Sequence, residues 1–208
     1  MSRQVVAQQP PSRPLGGFPS QEVTPAQRIF RAHSATFGPW WFGSDGGGRF
    51  DLPAPRGTCY LADAPLAALR ERIGVVLGGS PAVPASLLAG AVVSALHLPA
   101  ACRLADLQAP RASTFGVTRE LESMVPYAVP QAWARALDTE GFGGVAYGPR
   151  FSTGAATSYA IFGPGGAAEW GVDPSPVAAV DVPGAPLAME PPRRWDVTVV
   201  RPPRTRPR

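Results

Sequence analysis

Lysine is absent from this 208-residue sequence, so all 19 of its basic side chains are arginines. Without lysine the chain cannot contain a phosphate-binding loop of the Walker type, which requires one. Charged residues make up 16% of the sequence, well below the usual share of about 25%, and the formal net charge is +4. A composition this rich in alanine, glycine, proline and arginine is typical of biased codon usage. A single arginine is therefore not evidence of an anion site by itself.

Cysteine and histidine are also scarce, with two of each. Cys59 and Cys102 are too few for a disulfide framework, and His33 and His97 lie in separate apolar stretches, so no zinc site is expected. No apolar run is long enough to span a bilayer, and residues 1–9 lack the apolar core of a signal peptide. We therefore expect a cytoplasmic protein with no metal and no membrane contact.

The composition divides the chain into three parts. Residues 1–25 are rich in Gln, Pro, Ser and Gly and predict a disordered N-terminal lead. Residues 201–208 form a basic, proline-broken tail, which either contacts nucleic acid or an acidic partner or is a solvated end. Residues 26–200 have the composition of one folded domain with a substantial core.

The pattern of the central part favours a single α+β domain with many short strands and a few helices. Strands are predicted at 28–33, 58–61, 92–98, 103–107, 145–147 and 158–162, with edge strands at 177–182 and 195–200. Helices are predicted at 65–72, 116–121 and 129–139. Asp63 is the expected N-cap of the first helix, with Pro65 in its first turn.

The side chains with the most useful chemistry lie between residues 46 and 71. Arg49 follows three glycines, which allow a tight turn and a close approach to a ligand, and a guanidinium binds phosphate through paired hydrogen bonds. Tyr60, on a predicted strand, offers a ring for stacking and a hydroxyl. Glu71, on the next helix, offers a carboxylate that would stabilise positive charge on a sugar. This set suits an anionic ligand that contains a sugar.

Each of these residues also has a purely structural explanation. A surface turn accounts for Arg49, core packing accounts for Tyr60, and an exposed ion pair with a neighbouring arginine accounts for Glu71. Arg31, on the first predicted strand, either reaches solvent or lines a pocket. Three tryptophans either stack on a base or fill the core: Trp40, Trp41 and Trp133.

Between residues 28 and 166 the sequence resembles the RES domain, the toxin of RES–Xre toxin–antitoxin systems. The resemblance includes Arg31 on the first strand, Arg49 in the turn 48–51, and the spacing of eleven residues from Tyr60 to Glu71. Later segments resemble the family's following helices and strand: 115–121, 131–134 and 141–147.

This resemblance implies a fold similar to that of ADP-ribosyltransferases and an enzyme that cleaves NAD between nicotinamide and ribose. NAD would be the substrate, with no separate cofactor, and water or inorganic phosphate would accept the ADP-ribose. Glu71 would stabilise the oxocarbenium ion, Arg49 and Arg31 would hold the pyrophosphate, and Tyr60 would orient the nicotinamide or its ribose. The resemblance also implies a helix-turn-helix antitoxin of the Xre type as partner, and a homodimer.

One position departs from the family pattern. The family's name includes a serine, expected two residues after Tyr147, but Pro149 stands there and has no hydroxyl. Ser152 and Thr153 are the nearest replacements, and Arg150 is a further candidate site residue. Three functions stay open: an NAD glycohydrolase or phosphorylase, a protein ADP-ribosyltransferase, and a degenerate RES domain that binds a nucleotide or partner without turnover.

Overall fold

The computed structural model describes residues 7–77 and 82–190. Within those ranges the strands are β1 Ser20–Val23, β2 Ile29–Ser34, β3 Trp41–Phe42, β4 Arg56–Ala62, β5 Ala82–Pro84, β6 Ala91–Leu96, β7 Cys102–Asp106, β8 Gly144–Tyr147, β9 Ser158–Pro164, β10 Gly166–Ala167, β11 Val177–Ala178 and β12 Leu187–Met189. The α-helices are α1 Pro65–Ile73, α2 Ala85–Leu88 and α3 Ala128–Thr139. Short 3-10 helices lie between these elements at Gly74–Val76, Pro110–Phe115, Arg119–Glu122 and Ala179–Asp181.

The predicted α+β class is confirmed, and the strands predicted between residues 28 and 162 are all present. The helix predicted at 116–121 is a 3-10 turn at Arg119–Glu122, and the edge strand predicted at 177–182 is limited to Val177–Ala178. The strand predicted at 195–200 lies outside the described residues. None of the described helices is long and apolar enough to cross a membrane.

The largest sheet has eight strands in the order β1-β7-β8-β9-β4-β2-β6-β11. Its neighbouring strands run antiparallel except β7 and β8, which are parallel and are connected through α3. The strands β4 and β9 pair along their whole length, whereas β2 and β4 pair only at Phe30 and Ala62. Beyond that pair β2 and β4 diverge, so the sheet opens between them.

Side chains of β4 alternate between the two faces of the sheet, as the period of a strand requires. Tyr60 packs against the apolar cluster that includes α3, and Ala62 packs against α1. Cys59 and Leu61 pack on the other face, in the cluster that contains Trp40 and Phe42. Both α1 and α3 therefore cover the face that Tyr60 points to, on the side where the cavity described below lies.

The helix α3 is fixed by Trp133 and Leu137, which lie one turn apart and are both fully buried. The ring of Trp133 packs 6.2 Å from that of Phe18, and its Nε1 donates a hydrogen bond to the carbonyl of Gln9 at 2.9 Å. Trp133 is therefore a core residue, and the alternative that it stacks on a ligand is wrong.

The prediction that residues 1–25 are disordered is wrong for residues 7–25, the part that the structure describes. Ser20–Val23 pairs with β7, and Leu15 and Phe18 are buried in the core. Gln8 is 4% exposed, and its amide bonds the backbone between residues 116 and 118. Strand pairing, two buried apolar side chains and one glutamine together hold this polar segment on the domain. Residues 1–6 and the tail 201–208 lie outside the described residues.

The prediction that Asp63 caps the first helix is also wrong. The residue before α1 is Ala64, which makes no side-chain cap, and Pro65 begins the helix. The Asp63 carboxylate instead accepts a hydrogen bond from the backbone N–H of Thr157 at 2.8 Å. Asp63 therefore ties the end of β4 to the segment that precedes β9.

We expect Gln8→Ala to lower the free energy of unfolding by about 1–3 kcal/mol, because it removes the partly buried hydrogen bonds that the Gln8 amide makes with Gly116 and Thr118. Its Oε1 accepts from both the N–H and the hydroxyl of Thr118 at 2.8 Å. Urea unfolding measures the change, and Gln9→Ala, at an exposed position, is the matched control. Equal stability of both variants and the wild type would contradict the packing of this segment.

Candidate functional site

A cavity of about 310 Å³ lies where β2 and β4 separate. It is lined by all four residues that the sequence predicts for binding and catalysis: Arg31, Arg49, Tyr60 and Glu71. They come from β2, the turn before β4, β4 itself and α1. The structure thus brings together side chains that are up to 40 positions apart in the sequence.

The turn that carries Arg49 is built on hydrogen bonds between Gly48, Asp51 and Tyr60. The Gly48 N–H donates to Asp51 Oδ2 and the Tyr60 hydroxyl donates to Asp51 Oδ1, both at 2.8 Å. The hydroxyl also accepts from the Phe50 N–H at 2.8 Å. A Cβ at Gly48 would overlap both Asp51 and Tyr60, so only glycine fits. Burial and the Asp51 charge raise the pKa of Tyr60 well above its ordinary value, which keeps the hydroxyl protonated.

The guanidinium of Arg49 is buried beside two tyrosine rings and makes no hydrogen bond or ion pair with the described residues. Arg49 is 7% exposed, and its Nε has no hydrogen-bond partner among the described residues. Its Cζ lies 5.7 Å from the centre of the Tyr127 ring and 6.0 Å from that of Tyr147. A buried cation is normally paired, because its charge is costly to remove from water. The site is therefore ready to receive an anion.

The carboxylate of Glu71 is positioned by a backbone hydrogen bond from the segment between β8 and β9. Its Oε1 accepts a hydrogen bond from the backbone N–H of Phe151 at 2.8 Å. The Phe151 ring lies against Gly74, where any side chain would overlap it. Burial raises the pKa of Glu71, and the Phe151 N–H and the charges of Arg49 and Arg150 partly oppose that shift.

Arg31 lines the cavity, and one of its guanidinium nitrogens also bonds to neighbouring residues of the protein. Its Nη1 donates to the carbonyl of Trp41 at 3.1 Å, to Cys59 Sγ at 3.0 Å, and to the carbonyl of Pro39. The other nitrogens of the guanidinium make no hydrogen bond with the described residues. Arg31 therefore both fixes the 39–41 segment to β2 and keeps donors available at the cavity.

The expected serine position is occupied by Pro149, which is buried. Ser152 does not line the main cavity; it lines a separate one of about 210 Å³, together with Pro149. Ser158, at the start of β9, does line the main cavity and is fully buried. Its Oγ has no hydrogen-bond partner of good geometry in the described part of the chain, although it lies near enough to the Tyr147 hydroxyl to oppose in part the rise that burial causes in the pKa of that group. It lies opposite Tyr147 in the β8–β9 register. The sequence analysis missed Ser158.

Other residues of the cavity were also missed by the sequence analysis. Tyr127 and Tyr147 provide rings beside Arg49, and Arg72 of α1 adds a third cation to Arg31 and Arg49. Arg150 lies at the cavity as predicted, and it is exposed. Trp40 is buried in the core, and Trp41 lies outside this cavity. Among the described residues, no cluster of His, Cys, Asp and Glu is placed to hold a metal ion.

A search of the curated proteins found no match. Among solved structures, the fold is similar to that of a chain in the crystal structure of the M. tuberculosis MbcT–MbcA toxin–antitoxin complex. The two chains share 16% sequence identity at a TM-score of 0.55, over 68% of this chain and 76% of that chain. At this level of identity the likeness is one of fold.

A family model described as the RES domain matches residues 25–189. The match begins just before β2 and ends in β12, so it includes every residue that lines the cavity. It leaves out β1 and the segment before it. The resemblance seen in the sequence is thereby confirmed, and the chain belongs to the RES domain family.

Proposed function

We propose that this chain cleaves NAD between nicotinamide and ribose and acts as the toxin of a toxin–antitoxin pair. One observation carries the proposal: a buried arginine that makes no hydrogen bond or ion pair within the described part of the chain lies in the same cavity as a carboxylate whose pKa is raised by burial. The arginine suits a phosphate of the dinucleotide, and the carboxylate suits the positive charge that develops on its ribose.

The reaction needs little general acid catalysis, because nicotinamide leaves as a neutral molecule. When the bond from ribose C1′ to the pyridinium nitrogen breaks, its electron pair stays on nitrogen and neutralises the ring. The ribose becomes an oxocarbenium ion, with positive charge on C1′ and the ring oxygen. Glu71 is the carboxylate of the cavity, and stabilising that charge is its proposed role.

The remaining side chains would bind and orient the substrate. Arg49 would hold the phosphate next to the nicotinamide ribose, since its guanidinium makes no hydrogen bond or ion pair with the described residues. Tyr60 would orient the nicotinamide or its ribose with a ring that is fixed by Asp51. Arg31 would contact the pyrophosphate from the opening of the sheet with its free nitrogens.

An oxygen nucleophile completes the reaction by bonding to C1′. With water the products are nicotinamide, ADP-ribose and a proton released to solvent. With inorganic phosphate they are nicotinamide and ADP-ribose 1-phosphate. A protein side chain is the alternative acceptor. In that case the ADP-ribose of labelled NAD would become attached to a protein rather than appear in a small-molecule product.

A degenerate domain that binds NAD without turnover is the second candidate, and Pro149 is the feature that favours it. Ser158 is an observation against a degenerate domain, because this residue of β9, next to β8, provides a buried hydroxyl at the wall of the cavity. We propose that Ser158 supplies the hydroxyl that Pro149 cannot.

The toxin role is supported by two observations of different kinds. The chain belongs to the RES domain family, and its fold is similar to that of a chain from a toxin–antitoxin complex. We propose a helix-turn-helix antitoxin as its partner, covering the cavity. Induced growth arrest that co-expression of such a partner reverses would support this role.

We expect Glu71→Gln to lower the rate of nicotinamide release from NAD by at least about 100-fold, because an amide cannot offset the charge on the ribose. Chromatographic quantification of nicotinamide measures the rate. The matched control is Glu169→Gln, since Glu169 is exposed and does not line the cavity. Equal rates for wild type and Glu71→Gln would refute the role of this carboxylate.

We also expect kcat/KM to fall on acidification with an apparent pKa above 4.5, the ordinary value for glutamate. The ionised carboxylate is the active form, and a raised pKa means that its proton returns at a higher pH. Arg150→Ala removes a charge that lowers this pKa and should shift the acid limb to still higher pH. An acid limb at or below 4.5 would contradict the assignment to Glu71.

Ser158→Ala should lower kcat/KM about fivefold to tenfold, because it removes one hydrogen bond to the substrate, which contributes about 1 kcal/mol. Ser152→Ala, which alters a hydroxyl outside the main cavity, should leave kcat/KM unchanged. Steady-state kinetics with NAD compares the two variants. A loss confined to Ser152→Ala would show that the nearer serine replaces the missing one.

A further inference from the structure

A second cavity of about 690 Å³ adjoins the first and shares two of its residues, Arg31 and Arg72. The first cavity, at about 310 Å³, lies at the lower end of the range for small-molecule sites, roughly 300–1,000 Å³. A dinucleotide has two nucleoside halves joined by a pyrophosphate. Two adjoining cavities have room for the two nucleoside halves, and the arginines that they share, Arg31 and Arg72, would face the negative charge of the pyrophosphate.

The second cavity, which we call the aromatic groove, is lined by the segment Phe37–Trp41, Ala167, Ala168 and Val172, among others. Phe37 is 72% exposed and Trp41 is 56% exposed, whereas Trp40 between them is buried. Exposed apolar side chains that share one groove form a patch of the kind that marks a binding site. A flat ring at the wall of a groove is a stacking platform for a purine base.

The backbone of Trp41 is fixed without any ligand. Its strand β3 pairs with β10, with Trp41 opposite Ala167, and its carbonyl accepts a hydrogen bond from Arg31 at 3.1 Å. The cation between the two cavities thus also anchors the wall of the aromatic groove. Such preorganisation lowers the entropic cost of binding.

Polar groups in the groove are largely engaged by the protein. His33 contacts the carbonyls of Ser34 and Phe37 through Nδ1 and the hydroxyl of Ser94 through Nε2. Both ring nitrogens are therefore committed, and no part of the imidazole remains for the edge of a base. Stacking and charge are the interactions that the groove offers.

We propose that the aromatic groove binds the adenosine half of the dinucleotide, with adenine stacked on Trp41 and the adjoining phosphate between Arg31 and Arg72. This inference rests on the proposed function, because it names the second half of the same substrate. The nicotinamide nucleotide then occupies the first cavity, next to Arg49 and Glu71. The opening between β2 and β4 is the passage that joins the two halves.

The test is calorimetric binding of NAD and of nicotinamide mononucleotide, which lacks the adenosine half, to protein that carries Glu71→Gln to prevent turnover. Adding Trp41→Ala should weaken NAD binding about tenfold, the loss of one base-stacking interaction. Binding of the mononucleotide should not change. Trp41→Phe, which keeps a ring, should retain most of the affinity for NAD, and Val180→Ala, an exposed apolar residue outside both cavities, is the control.

The outcomes separate this inference from the proposed function. If the wild type releases nicotinamide and Trp41→Ala binds NAD as tightly as its parent, the adenosine site alone is overturned. A protein partner would then be the occupant of the aromatic groove. Equal weakening of NAD and the mononucleotide would overturn it too, because the effect would then come from the first cavity. NAD binding that depends on Trp41 without any cleavage would support the site and overturn the proposed reaction. Absence of NAD binding would overturn both.

Discussion

The buried guanidinium of Arg49 is the constraint on which the site depends. A cation that is 7% exposed and has no partner at Nε is costly to hold in a folded protein. Charges of Glu71 and Glu122 act on it from a distance, but neither carboxylate forms an ion pair with it in the described residues. An anion that enters the cavity would offset the free-energy cost of burying this charge. An arginine with that property is typical of a binding site rather than of a purely structural position.

The side chains around this arginine are held by hydrogen bonds between backbone and side chain. Tyr60 and Asp51 fix the turn on one side, and the Phe151 N–H fixes Glu71 on the other. The divergence of β2 from β4 provides the space between them. A sheet that paired fully at this point would leave no room for a ligand, so the same break in pairing explains the cavity and its position.

The sequence indicated the four residues that line the cavity through local patterns together with the resemblance to the RES domain, since the local patterns alone left a structural explanation open for each of them. It did not reveal Ser158, whose place opposite Tyr147 depends on how the chain returns after β8 and on the β8–β9 register. It also failed for the N-terminal segment, because a polar composition hides the few side chains, Leu15, Phe18 and Gln8, that attach it to the domain. Asp63 shows the same limit, since a tertiary hydrogen bond to Thr157 took the place of a local cap.

The central claim is that this cavity breaks the bond between nicotinamide and ribose. The most direct measurement is identification of the products by mass spectrometry after NAD is incubated with the purified chain, with and without inorganic phosphate. The account predicts free nicotinamide together with ADP-ribose, or with ADP-ribose 1-phosphate where phosphate is the acceptor. Intact NAD at high protein concentration in both conditions would contradict it.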